Sequence, residues 1–338
     1  MTDSTTRVRA GRGYWRAAVG AGTAGCLVVA LAACGGDKVG SEPGSNPSDG
    51  RKGAQDCGTV KLAVNPWVGY EANAAVFAYV AQQRLGCTVE KKDLKEEVSW
   101  QGFETGEVDL VLENWGHDDL VKKYITERKV AVDLGPTGNK GIIGWYVPPW
   151  LASEHPDVLD WKNLNKYVDK FRTSESGSKG QLLDGDPSYV TNDTALVKNL
   201  KLNFSVVQGG SEAALIQSFR TAQKQKKWLL AYFYEPQWFF DELQLKRVEL
   251  PEYTQGCDAD TQKVACDYPP YDLNKIARKA FADSSSPAVG LAKKFQWTNE
   301  DQNLVSKYIS EEKLSPEKAA EKWVNAHKDV VDSWLANG

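Results

Sequence analysis

The chain has 338 residues, 41% of them apolar, and a formal charge of −4 at pH 7. That is enough for one large domain or two medium ones with a sizeable core, and an acidic balance without basic blocks argues against nucleic acid as a partner. The only histidines, His117, His155 and His327, are scattered, which argues against a zinc site or a histidine-based triad, so neither metal nor cofactor is expected.

Residues 7–16 are basic and residues 17–34 are small and apolar, the pattern of an export signal. The apolar part is too short and too rich in Gly and Ala to favour a permanent span. It ends in Leu31-Ala32-Ala33-Cys34, which looks like a bacterial lipobox: cleavage after residue 33 leaves Cys34 to carry lipid. An ordinary signal peptide or a weak anchor is the alternative. Residues 34–56, Gly, Ser, Pro and charge without apolar periodicity, read as a flexible tether. The expected location is the outer face of a bacterial cell membrane. Removing residues 1–33 takes away four Arg and one Asp, so the charge moves from −4 to −7.

Beyond the signal and Cys34, four cysteines remain, an even number in an exported chain, which points to two disulfides. Three pairings are possible. Cys257 and Cys266 enclose a short polar loop. Cys57 and Cys87 precede the first two strands, and neighbouring parallel strands start at one sheet edge.

From residue 58 strands and helices alternate: strand 59–65, helix 71–86, strand 88–94, short helix 97–106, strand 108–113. This is an α/β unit with a parallel sheet. Residues 141–151 are a strand running into Pro148 and Pro149, a crossover into a second region. There the pattern predicts a helix over 160–171, a strand and turn over 180–187, a helix over 191–202, a helix over 210–227 capped by Ser211, and a buried strand over 228–236. Helices over 298–310 and from Ser315 onward close the chain.

Ligands of open α/β sheets bind off the carboxyl ends of the strands. Aromatics gather there: Trp67 after the first strand, Trp115 after the third, Tyr189 after the turn at 185–187, and Tyr232, Tyr234 and Trp238 in and after the strand at 228–236. An aromatic face attracts a cation by roughly 0.5–2 kcal/mol. A quaternary ammonium ion has no N–H, so a cage of such faces is the general way to hold it. Each ring alone has a plainer reading as packing, and Trp100, Trp161, Trp228, Trp297, Trp323 and Trp334 are assigned to that role.

Six segments in order carry a resemblance: VNPWVGYEANAAVFAYVAQQRLGCTVE, GFETGEVDLVLENW, GWYVPPWL, GSEAALIQSFRTA, AYFYEPQWFFDELQLKRVELPE and EKAAEKWVNAHKDVVDSW. The chain resembles the glycine betaine/proline betaine substrate-binding proteins of ABC transporters, from about residue 58 to the C-terminus. The resemblance implies a two-lobed, periplasmic-binding-protein-like (type II) α/β fold, each lobe a mostly parallel sheet flanked by helices and joined by a hinge. Lobe 1 is expected over 57–146 plus 246–338, and lobe 2 over 147–245. The family's cage maps onto Trp67, Trp115 and Tyr234, the last a tyrosine where the family has tryptophan. Tyr189 adds a possible fourth wall. Thr191 and Asn192 are expected to cap a helix whose amides are free for an anion. His117 follows Trp115 more closely than the family pattern has it, and Glu235 stands where the family has threonine. Extra carboxylates at Asp118, Asp119 and Glu235 favour a ligand without its own carboxylate, unless Asp118 and Asp119 merely open a helix toward solvent.

The expected protein is thus a monomeric, lipid-anchored solute-binding protein that hands a quaternary ammonium compound, glycine betaine or a relative, to an ABC permease with a cytoplasmic ATPase. The alternatives are a carboxylate-free cation such as choline as ligand, or a sensing domain of the same fold without a transport role. An exported hydrolase is disfavoured, because Gly177-Ser178 does not complete a nucleophile elbow.

Overall fold

The structure is a computed structural model and describes residues 57–189 and 191–336. The expected signal (1–33), Cys34 and the tether (34–56) lie outside the described residues. Among the described residues no helix is long and apolar enough to cross a membrane.

The chain opens with β1 (Thr59–Val64), α1 (Val68–Leu85), β2 (Thr88–Asp93), α2 (Glu96–Thr105) and β3 (Leu110–Asn114). Strand β1 pairs in parallel with β2 from Thr59↔Thr88 to Val64↔Asp93, and with β3 at Leu62↔Leu110. Helix α1 buries Val76, Phe77 and Val80 and stops at Gly86, whose φ of 72° is the left-handed conformation that glycine adopts without strain. Disulfides join Cys57 to Cys87, beside the first register pair of β1 and β2, and Cys257 to Cys266. Asp118 and Asp119 open α3 (Asp118–Leu120), which runs into a π-helical stretch over Val121–Glu127.

Strand β4 (Ala131–Val147) connects the two halves of the sheet. Its residues 131–141 pair antiparallel with β9 (Tyr271–Arg278), and residues 142–146 pair antiparallel with β7 (Ala231–Glu235). The sequence reading starts this strand only at Gly141. Gly135, Pro136 and Gly138 obscure its first part, and the ladder admits them through register shifts on both sides of Pro136.

After β4 come α4 (Pro149–Glu154), α5 (Val168–Phe171), β5 (Gly180–Asp184), α6 (Asp193–Asn199), β6 (Phe204–Gln208), α7 (Glu212–Gln225), then β7, α8 (Phe239–Glu242) and β8 (Lys246–Arg247). Strand β5 pairs in parallel with β6 and β7. The helix expected over 160–171 is a 3₁₀ stretch, Trp161–Tyr167, followed by the single turn of α5. Asn163 and Asn165 send their amides to the carbonyls of Asp157 and Lys201, an alternative to helical pairing that short polar side chains favour. The chain ends with α9 (Lys279–Ala282), α10 (Pro287–Lys294), α11 (Asn299–Ser310), α12 (Pro316–Ala326) and α13 (Lys328–Leu335). The resulting strand order is β2-β1-β3-β9-β4-β7-β5-β6, with β8 paired to β4. Residues following β1, β3 and β5, and residues of β7, line one cavity.

Candidate functional site

The cavity has a volume of about 690 Å³. Trp67, Trp115, Tyr189 and Tyr234 line it, together with Tyr232 and with Tyr271 from β9. The rings form a continuous belt. Tyr189 meets Trp67 edge-on with centroids 5.6 Å apart, and Tyr234 edge-on at 6.3 Å. Tyr234 meets Trp115 at 5.8 Å, and Trp115 meets Tyr271 at 5.7 Å. Edge-on contacts of this kind are the favoured packing of neighbouring aromatic rings, and π systems lining a cavity attract a cation. Two glycines make room for the belt. A Cβ at Gly141 would stand 2.6 Å from Cζ3 of Trp115, and one at Gly185 would stand 2.5 Å from Cδ2 of Tyr189.

Behind the indoles lies Glu113, in the last turn of the pleat of β3. One of its oxygens, Oε1, accepts the indole N–H of Trp67 and that of Trp115, each at 2.8 Å. Its other oxygen accepts from the Asn73 amide and from Gln302 at 3.2 Å. Burial pushes this carboxyl up to about 7, even though the four donors pull it down. Sequence reasoning passed over Glu113; its one signal is a carboxylate in an otherwise apolar run, Leu110-Val111-Leu112-Glu113, directly before the Asn-Trp pair.

His117 and Asn192 also line the cavity. Nε2 of His117 lies 2.6 Å from Oε1 of Glu96. Burial draws the imidazole down, but the charge and hydrogen bond of Glu96, with Asp119 and Glu97 behind it, raise it overall. Asp118 and Asp119 are exposed and line the same cavity, as does Asp258. The lining contains no lysine or arginine among the described residues.

Two residues expected at the site are engaged elsewhere. The Thr191 hydroxyl donates to Asp184 at 3.0 Å. Glu235 closes β7, opposite Ile142, and is half-buried outside the cavity lining, with Arg247 as its charged neighbour. The backbone N–H of Asn192 donates to the Tyr268 hydroxyl at 2.7 Å, and that hydroxyl donates to the buried Asp193 at 2.7 Å. Trp238, another strand-end aromatic, is buried against Phe239.

The far wall comes from residues the sequence reading left unassigned. Tyr253, Gln255, Gly256, Asp258, Ala259 and Thr261 reach the cavity from the segment that the Cys257–Cys266 bridge ties down. No periodicity marks this loop, so only the fold could bring it here. Glu212, at the start of α7, lies behind Tyr234 and accepts its hydroxyl at 2.5 Å. Among the described residues no group of three or more His, Cys, Asp or Glu side chains is arranged to hold a metal ion.

Residues 58–326 match the family model described as the substrate-binding domain of ABC-type glycine betaine transport systems. The chain is 23% identical to the trimethylamine N-oxide-binding protein of Pelagibacter ubique (strain HTCC1062) over 296 residues, 85% of this chain and 91% of that one. Among solved structures it is similar to lactococcal OpuAC in its closed-liganded conformation complexed with glycine betaine, at 23% identity and a TM-score of 0.64, over 82% of this chain and 99% of that one. It is similar also to an ABC-transporter choline-binding protein in complex with choline, at 17% identity and a TM-score of 0.67, over 83% of this chain and 92% of that one. The fold is that of type II periplasmic binding proteins.

Proposed function

The chain belongs to the family of substrate-binding domains of ABC-type glycine betaine transport systems, and on that premise we propose that it captures a quaternary ammonium compound, glycine betaine or a relative, in the aromatic belt. The family consists of solute-binding proteins that serve an ABC permease, not of enzymes. The observation that carries the finer reading is the belt itself: Trp67 and Trp115 come from one half of the sheet, Tyr189 and Tyr234 from the other, and the four rings adjoin one cavity. Three or four faces at roughly 0.5–2 kcal/mol each sum to about 1.5–8 kcal/mol, and only the upper half of that range reaches a millimolar to micromolar cation. In this reading lobe 1 (57–146 plus 246–338) and lobe 2 (147–245) close on the ligand, and only closure completes the cage. The same reading keeps Cys34 as the lipid-bearing residue, the protein as a monomer outside the cytoplasm, and Tyr189, His117 and Asn192 as further ligand neighbours.

A second reading has a specific observation in its favour. A ligand carboxylate is held best by a cation, and otherwise by N–H or O–H donors, which here are the uncharged side chains of Gln255, Asn192, Thr261 and the tyrosines. The lining offers Glu96, Asp118, Asp119 and Asp258 but no Lys or Arg among the described residues, and the imidazole of His117 already faces Glu96. The Asn192 N–H, expected to seat an anion, is taken by Tyr268. These features favour a carboxylate-free cation such as choline.

Calorimetry of the mature protein against glycine betaine, proline betaine, carnitine, choline and trimethylamine N-oxide tests both readings. Binding of none of them more tightly than about 1 mM by folded protein ends the cage reading. Choline tighter than glycine betaine supports the second reading, and the reverse order removes it.

A further inference from the structure

Helix α1 begins at Val68, directly after the cage tryptophan Trp67. The first N–H groups of a helix have no partner within it, and a side chain at the preceding position usually accepts from one of them. Here that position is Trp67, whose indole N–H faces Glu113 and whose side chain makes no capping bond. The Val68 N–H instead donates to the Glu212 carboxylate at 3.0 Å, 144 residues further along the chain. Glu212 opens α7, which precedes β7 in the opposite half of the sheet.

The same carboxylate holds Tyr234. Its Oε1 accepts the Tyr234 hydroxyl at 2.5 Å and the side-chain amide of Gln237, while Oε2 takes the Val68 N–H. One side chain therefore links the ring of Tyr234 to the backbone immediately beside Trp67. A second bond spans the same gap, from the Tyr189 hydroxyl to the Pro66 carbonyl at 3.1 Å. Glu212 itself does not line the cavity.

We infer that Glu212 is a closure latch and positioning residue: it caps α1 from the opposite half of the protein and sets Tyr234 against Trp67 only when the two halves meet. This rests on the closing-cage reading above. In an open form Tyr234 and Gln237, which lie in the same half as Glu212, still donate to its carboxylate, while the Val68 N–H would be hydrated. Closure exchanges water for one further donor, the Val68 N–H, and places a negative charge at a helix N-terminus, where it is favoured. The exchange is close to balanced, so that a ligand bridging the rings tips it. Because the latch does not touch ligand, its loss acts on the lifetime of the closed complex and not on encounter.

Two readouts on Glu212→Ala and Glu212→Gln test the latch. Ser211 still caps α7 through the Ala214 N–H in both variants, so the helix keeps its start. The first readout is stopped-flow binding of choline: Glu212→Ala is expected to raise the dissociation rate about tenfold with association within about threefold, and Glu212→Gln, which keeps one acceptor, to fall between. The second is exchange of the Val68 amide proton in ligand-free and choline-loaded protein. Protection in the wild type that is lost in Glu212→Ala supports the latch. A Val68 amide unprotected in the choline-loaded wild type, or a dissociation rate and exchange unchanged by Glu212→Ala, overturns it. If the wild type binds no cation, the cage reading fails, while faster Val68 exchange in ligand-free Glu212→Ala than in ligand-free wild type still supports the latch and equal exchange overturns it.

Discussion

The carboxylate of Glu113 accepts the indole N–H of Trp115 at 2.8 Å, two residues further along the chain. Because the same oxygen takes Trp67 Nε1 at 2.8 Å, a single acceptor fixes the edges of both indoles, which line the cavity. Negative charge behind the rings also raises the attraction of those faces for a cation. Glu113→Gln should therefore weaken cation binding by about tenfold, roughly 1.4 kcal/mol, because the new NH₂ meets donors where an oxygen stood. Calorimetry and a thermal melt on the same sample check this. A folded Glu113→Gln protein with wild-type affinity would show that the rings hold their places without the clamp.

The same carboxyl makes affinity depend on pH. Glu113 titrates near 7 in the fold, against 4.5 as its ordinary value, because burial favours the neutral form. Its folded-state value is raised, so its contribution to ligand-free stability is present at acid pH and is lost as pH rises through about 7. Ligand binding runs the other way: a cation favours the carboxylate, so affinity should rise as pH climbs through about 7. His117, raised by Glu96, acts in the same sense, since its protonated form repels a cation. Burial also raises Glu212, Asp184 and Asp193 around the site. Choline carries a fixed charge, so its titration across the neutral range isolates the protein groups. Glu113→Gln should flatten most of the curve and leave the His117 part. A wild-type affinity constant with pH would contradict the assignment of charge at Glu113.

The two disulfides should separate by readout. Cys57–Cys87 joins the starts of β1 and β2, and neither cysteine lines the cavity. Its replacement by serines should cost about 3–4 kcal/mol of stability by loop entropy for a separation of 30, with affinity kept. Cys257–Cys266 encloses a segment of separation 9 that supplies Asp258, Ala259 and Thr261 to the cavity wall. Its removal should cost about 2–3 kcal/mol and also weaken ligand binding, because the wall loses its constraint. Equal loss of affinity in the two double mutants would refute this division.

How far these features could be read in advance follows from what fixes each of them. Trp67 and Trp115 were legible because strand, break and indole lie together in the chain, and local pattern suffices to put a residue at a strand end. The pairing of Cys57 with Cys87 followed from two strands starting at one edge. Tyr271, Asp258 and Glu212 were not legible, because their nearness to the cage comes from β9, a polar loop and α7, which only tertiary packing carries to the cavity. Thr191 does not line the cavity: its hydroxyl donates to the buried Asp184, a short-range partnership that the sequence pattern does not show. The first part of β4 was hidden because bulges around Pro136 erase the alternation that marks a strand.

The rim carboxylates give the last expectation. Asp118 and Asp119 are exposed and line the cavity beside Trp115, so they act at the mouth through a screened field, not through contact pairing. Each is then worth roughly 0.2–1 kcal/mol toward a cation, and as much against a ligand carboxylate. The double change Asp118→Asn with Asp119→Asn should lower choline affinity by about two- to thirtyfold at low salt and leave glycine betaine, whose two charges nearly cancel, almost unaffected. The ratio of the two affinities therefore shifts toward glycine betaine. The shift should shrink as salt rises from about 10 mM to 150 mM, since the screening length drops from roughly 30 Å to 8 Å. A ratio that moves equally at all ionic strengths would mean that these carboxylates touch the ligand directly, and an unmoved ratio would mean that they serve only as first-turn acids of α3.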